Sequence, residues 1–159
     1  MADSERVPIT PAGLARLEEE LRRFKDERPV IIKAIGEARA LGDLSENAEY
    51  HAARERQGLI EAQIRQLESL ITRADVIDPA KMSGPVIRFG ATITLMDEDK
   101  GEEVHYQLVG DAEADISHGR LSVRAPLGRA LLGREPGDEI EFKAPAGVRH
   151  FTVVEVEYK

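Results

Sequence analysis

The sequence predicts an α+β protein in two parts, an antiparallel helical hairpin followed by a small, mostly antiparallel β-rich module. Two observations carry this. Apolar residues recur at alternating steps of three and four over the first half of the chain, and from about Met82 the period drops to two. A third, the short stretch between two long apolar series, makes the helices antiparallel neighbours.

The first series runs Leu14, Leu17, Leu21, Phe24, Arg28 (in register but charged), Ile31, Ile35 and Ala38. The second runs Tyr50, Ala53, Gln57, Ile60, Ile64, Leu67, Ile71 and Ala74. A repeat near 3.5 marks helices that pack along a narrow seam, with Glu, Arg and Lys on the solvated faces. Thr10-Pro11 supplies an N-cap and a first-turn proline. Gly42 can take the left-handed conformation that ends a helix, and Asp78-Pro79 closes the second segment. Pro29 predicts a kink or a break. Helices of about 30 residues at 1.5 Å rise would reach about 45 Å, with the turn Leu41–Glu49 farthest from both termini.

In the second half, Ala91–Leu95, Val104–Leu108, Glu139–Phe142 and Phe151–Val156 read as strands between Gly and Asp turns. Pro126–Leu132 reads as a short helix ended by Gly133. The domains are accordingly 1–78 and 79–159.

Composition narrows the function classes. The 159 residues are 42% hydrophobic and 33% charged, with a formal net charge of −8. Generic nucleic-acid binding through a basic surface is disfavoured. With no cysteine, disulfides, thiolate metal sites and cysteine nucleophiles are excluded. The first ten residues lack a signal-peptide core, and no stretch approaches the ~20 apolar residues of a membrane span. A cytoplasmic monomer is the expectation. His51, His105, His118 and His150 are scattered and suggest no metal site.

The candidate chemistry lies at the turn, where Asp43, Glu46 and Glu49 gather. An exposed turn cannot exclude water from a site of its own, but its carboxylates could complete a partner's Mg²⁺ site with hard oxygen ligands. A structural alternative stands beside this. Asp43 and Glu46 have the spacing of a capping box, and first-turn acids complement the helix dipole. Spacing leaves both readings open. Arg39, Arg54 and Arg56 flank the turn, either as ordinary helix-surface charge or as phosphate contacts. Tyr50 falls in the seam register, and Ser45 is a further cap candidate.

The run from Gly36 to Glu55, centred on Gly42-Asp43-Leu44-Ser45-Glu46-Asn47-Ala48-Glu49-Tyr50, closely resembles the bacterial transcript-cleavage factors of the GreA/GreB family. So do Phe89–Thr92, Val109–Asp115 and Leu127–Gly133, and the likeness extends from Ile9 to Lys159. The resemblance implies a coiled coil that enters the secondary channel of RNA polymerase and an FKBP-like C-terminal domain that docks at the channel rim. It implies that Asp43 and Glu46 help hold the second Mg²⁺ and orient the attacking water at the polymerase active centre. The polymerase, which is the enzyme, then hydrolyses backtracked RNA near its 3′ end, and arrested complexes are rescued. By the same resemblance Arg39 and Arg54 contact the nascent RNA 3′ segment, the small basic patch fits the GreA-like branch, and the free protein holds no tight metal. A Gre-like inhibitor that plugs the channel is the alternative, although the acidic motif is retained. A prolyl-isomerase reading of the FKBP-like domain is disfavoured, since the chain has no Trp and few aromatics to line a proline pocket. Leu127 and Leu131 are candidates for the docking face.

Overall fold

The computed structural model describes residues 5–43 and 47–159. In chain order the elements are β1 (Val7–Ile9), α1 (Pro11–Arg39), α2 (Ala48–Thr72), β2 (Ala74–Val76), β3 (Thr92–Asp97), β4 (Glu102–Val109), β5 (Arg120–Ser122), α3 (Pro126–Leu131), β6 (Glu139–Ala144) and β7 (Gly147–Glu157). Packing divides them differently from a single cut after Asp78. One compact unit holds Leu14–Arg73, and the other joins Arg6–Gly13 to Ala74–Lys159.

In the first unit, α1 and α2 form the hairpin that the heptad-like spacing predicts. Leu17, Ile35 and Ala38 of α1 and Ala53, Ile60, Ile64 and Leu67 of α2 are buried. Direction is fixed by the cross-helix bonds. Their sequence separation falls from 33 (Arg28 with Glu61) to 29 (Arg56 with Glu27) to 9 (Asn47 with Ala38), as antiparallel neighbours closing on a turn require. The in-register Arg28 is thus accounted for, since its guanidinium forks onto both Glu61 oxygens at 2.7 and 3.0 Å. Pro29 does not break α1, which continues through it. The ring removes the N–H that would have bonded to the carbonyl of Lys25.

Arg56 forks in the same way onto Glu27, at 2.6 and 2.7 Å. These hydrogen bonds hold the Glu27 carboxyl below its ordinary value of 4.5. A carboxylate with a depressed folded pKa stabilises the fold above its unfolded value, and that contribution is lost as pH falls through the folded value. The hairpin is therefore expected to lose stability on acidification below about pH 5. Thermal unfolding followed by helical circular dichroism should show a smaller drop between neutral and acid pH in Glu27→Gln than in the wild type. An equal drop would remove Glu27 from the explanation.

The helix α2 ends at Thr72, before the Asp78-Pro79 stop expected from sequence. Ala74, which continues the seam spacing, instead begins β2, and β2 pairs in parallel with β1. Asp78 caps a short 3-10 turn over Pro79–Lys81 by accepting the Ala80 N–H.

The second unit is built on a five-stranded sheet of order β5-β4-β3-β7-β6, antiparallel except for the β4–β5 pair. Alternation along β3 buries Ile93, Leu95 and Asp97. Ile93 and Leu95 join Leu108, Leu121, Ile140, Phe151 and Val153 in one apolar cluster with Leu127 and Leu131 of α3. Here the expectation for Leu127 and Leu131 is corrected. Both are buried core residues, Leu131 completely so, and neither offers a docking surface. The adjoining Leu132 is the exposed one. No described helix is long and apolar enough to cross a membrane.

Candidate functional site at the hairpin turn

The turn is built from the two helix ends. After Arg39 the backbone tightens, with Leu41 N–H donating to the Ala38 carbonyl at 3.1 Å. At Gly42 φ is +122°, which only glycine adopts without strain. Asp43 follows and is exposed. Glu46 and Ser45 lie outside the described residues.

The capping-box expectation is corrected at α2. Its N-cap is Asn47, in an extended conformation, whose side-chain oxygen accepts the Tyr50 N–H at 3.0 Å. The third helical position is therefore Tyr50, and neither Asp43 nor Glu46 has the place that a capping box assigns it. The first turn of α2 takes its acceptor from the Asn47 side chain. Asn47 was missed by sequence reasoning, although a signal existed. An N-cap is expected just before the apolar series begins, and that series begins at Tyr50.

Asn47 also reaches across the hairpin, its Nδ2 donating to the Ala38 carbonyl at 2.7 Å. A second tie spans the same gap, the Arg39 guanidinium lying 5.9 Å from the centre of the half-buried Tyr50 ring. Tyr50 thus packs, as its register predicts, but against the arginine opposite.

The three arginines near the turn separate by partner. Arg56 is engaged by Glu27 across the seam and serves the hairpin. Arg54 is exposed and donates to the neutral Gln57 side chain at 3.0 Å. Arg39 is exposed and stacked on Tyr50. Among the described residues neither Arg39 nor Arg54 forms an ion pair with a carboxylate. Arg39 also sits in the last turn of α1, where a cation complements the helix dipole.

Among the described residues, which leave out Glu46, no group of three or more His, Cys, Asp or Glu side chains could hold a metal ion. What the turn offers a divalent cation is one or two hard oxygens from a single short segment. That donor set suits Mg²⁺, which takes few ligands from any one protein and fills the rest with water or phosphate.

Two descriptions of known families match successive stretches of the chain. Residues 7–76 match the family described as transcription elongation factor, N-terminal, and residues 82–158 match transcription elongation factor, GreA/GreB, C-terminal. The chain is 55% identical to transcription elongation factor GreA of Rhodospirillum rubrum over 97% of its own length and 99% of the relative's. It is 56% identical to the protein of the same name from Cereibacter sphaeroides, with the same coverage. The crystal structure of GreA factor homolog 1 of Thermus thermophilus is 32% identical, covering 96% of this chain and 99% of that one, with a TM-score of 0.45.

Proposed function

The chain belongs to the GreA/GreB family of transcription elongation factors, and we propose that its hairpin enters the RNA polymerase secondary channel and stimulates cleavage of backtracked RNA. The observation that carries this reading is the exposed Asp43 at the hairpin turn, beside a helix already capped by Asn47. An acid needed to stop a helix from fraying would have to be withdrawn on docking. Here the cap and the acid are different residues.

In this reading Asp43 and Glu46 each contribute carboxylate oxygen to a Mg²⁺ site whose other ligands belong to the polymerase and the RNA. When bound, Mg²⁺ lowers the pKa of a coordinated water and steadies the departing oxygen. The chain's own residues position the acids and contact the RNA, and the factor is not itself the enzyme. Arg39 and Arg54 supply charge-assisted hydrogen bonds to backbone phosphates of the extruded 3′ segment. The factor acts as a monomer and carries no tightly bound metal when free.

Backtracked elongation complexes carrying end-labelled RNA, incubated with the chain and Mg²⁺, should release short 3′ fragments faster than polymerase alone. A lack of stimulation would overturn the proposal. Slowed nucleotide addition with no cleavage would instead identify a channel-plugging inhibitor.

A further inference from the structure

Building on the cleavage-factor reading, we infer that Asn47 is the positioning residue of the tip, a clasp that fixes both ends of the segment bearing Asp43 and Glu46. Its amide carries two opposite functions at once. The Oδ1 end accepts the Tyr50 N–H at 3.0 Å and starts α2, while the Nδ2 end donates at 2.7 Å to the carbonyl of Ala38 in the last turn of α1. That carbonyl already accepts the Leu41 N–H, and a carbonyl oxygen has lone pairs for two such bonds.

The choice of residue type supports the second role. Capping alone is served equally well by Asp or Ser. An ionised Asp has no proton to donate to Ala38, and the Ser hydroxyl is too short to bridge to the other helix while serving its own cap. Only the cross-hairpin bond calls for an amide.

Chain connectivity turns this bond into a constraint on the acids. Glu46 is peptide-bonded to Asn47, and Asp43 lies between Ala38 and Asn47. One side chain therefore ties Ala38 to Asn47, the two residues that bracket the acids in sequence, and the Arg39–Tyr50 stack reinforces the tie. Ligands of a reaction centre tolerate about 0.5 Å of misplacement, and about 1 Å can cost on the order of 100-fold in rate. Binding by the rest of the protein is not held to so tight a limit, so the clasp should govern rate at saturation and leave affinity alone.

The test compares Asn47→Ser and Asn47→Asp, which keep the cap acceptor and lose the bridge, with Asn47→Ala, which loses both. For the Ser and Asp variants, cleavage at saturating factor is expected to fall about 10- to 100-fold. The factor concentration giving half-maximal cleavage should stay within about 2-fold, and the Mg²⁺ requirement should rise. In the isolated protein, amide hydrogen exchange over residues 40–43 and 47–50 should quicken about 10-fold, with the middle of α2 unchanged. Wild-type cleavage by the Ser variant would overturn the inference, as would loss of affinity in parallel with rate. If the wild-type chain itself fails to stimulate cleavage, the function falls. The exchange measurement then decides the clasp alone, and unchanged exchange in Asn47→Ser rejects it.

Discussion

Replacing Asp43 by alanine is expected to lower stimulated RNA cleavage by about 100-fold or more, with polymerase affinity and thermal stability left nearly unchanged. The same result is expected for Glu46→Ala. The magnitude follows from what a preorganised group is worth where charge develops. Removing one such interaction typically costs on the order of 10²- to 10³-fold in rate, about 3–4 kcal/mol of barrier. The expected stability follows from Asn47. Because the cap of α2 comes from that side chain, truncating Asp43 leaves the first turn of the helix with its acceptor. Asp43 is itself exposed, and substitutions of exposed residues usually move stability by about 0.5 kcal/mol or less. Cleavage, competition binding and thermal unfolding measured on one preparation give the answer. If Asp43→Ala loses stability and binding together, the acid is a structural element of the turn. If it loses cleavage alone, the acid acts on the reaction. Asp43→Asn sharpens the comparison, since it retains the shape and an oxygen but not the charge.

The contrast between Asp43 and Asn47 shows where sequence could and could not locate the site. Helix seams were legible because a 3.5-residue repeat needs only local information, and Leu17, Ile35, Ala53, Ile60, Ile64 and Leu67 are buried as the register requires. Two polar side chains close to one helix start both satisfy the spacing rule for a cap. Choosing between them depends on which one also finds a carbonyl on the opposite helix. The β1–β2 pair was invisible for a related reason. Three-residue strands carry no period, and Val7 pairs with Ala74 from the far end of the hairpin. Ala74 meanwhile continued a helical spacing that the chain had already left. The mistaken docking role of Leu127 and Leu131 came from reading apolar identity without knowing which face of α3 meets the sheet. The acids were picked out by composition at a turn, and the role expected of them comes from resemblance alone.

The largest structural effect is expected at Glu113, an acid in the stretch Gly110-Asp111-Ala112-Glu113-Ala114-Asp115. It is buried. One carboxylate oxygen accepts the Thr10 N–H at 2.9 Å and the other accepts the Thr10 hydroxyl. The Thr10 oxygen in turn accepts the Gly13 N–H at 3.0 Å, as the predicted N-cap of α1 should. Alanine at 113 would leave the buried Thr10 donors without an acceptor. Each such loss costs about 1–3 kcal/mol, and at about 4–8 °C per kcal/mol for a domain of this size the melting midpoint of the β-rich unit should fall by about 10 °C or more. Gly13 supplies an internal check. A methyl group there would lie 2.1 Å from a Glu113 carboxylate oxygen, so Gly13→Ala alone should destabilise by forcing the carboxylate from its seat. In the Glu113→Ala background that collision disappears, and the ordinary helix preference for alanine, about 0.5–1 kcal/mol, should make the same substitution stabilising. A reversal of sign across the double-mutant cycle, read by thermal unfolding, would establish that Gly13 is small because Glu113 needs the space. Additive effects would mean that the two residues, 100 positions apart in sequence but in contact in the fold, are energetically independent.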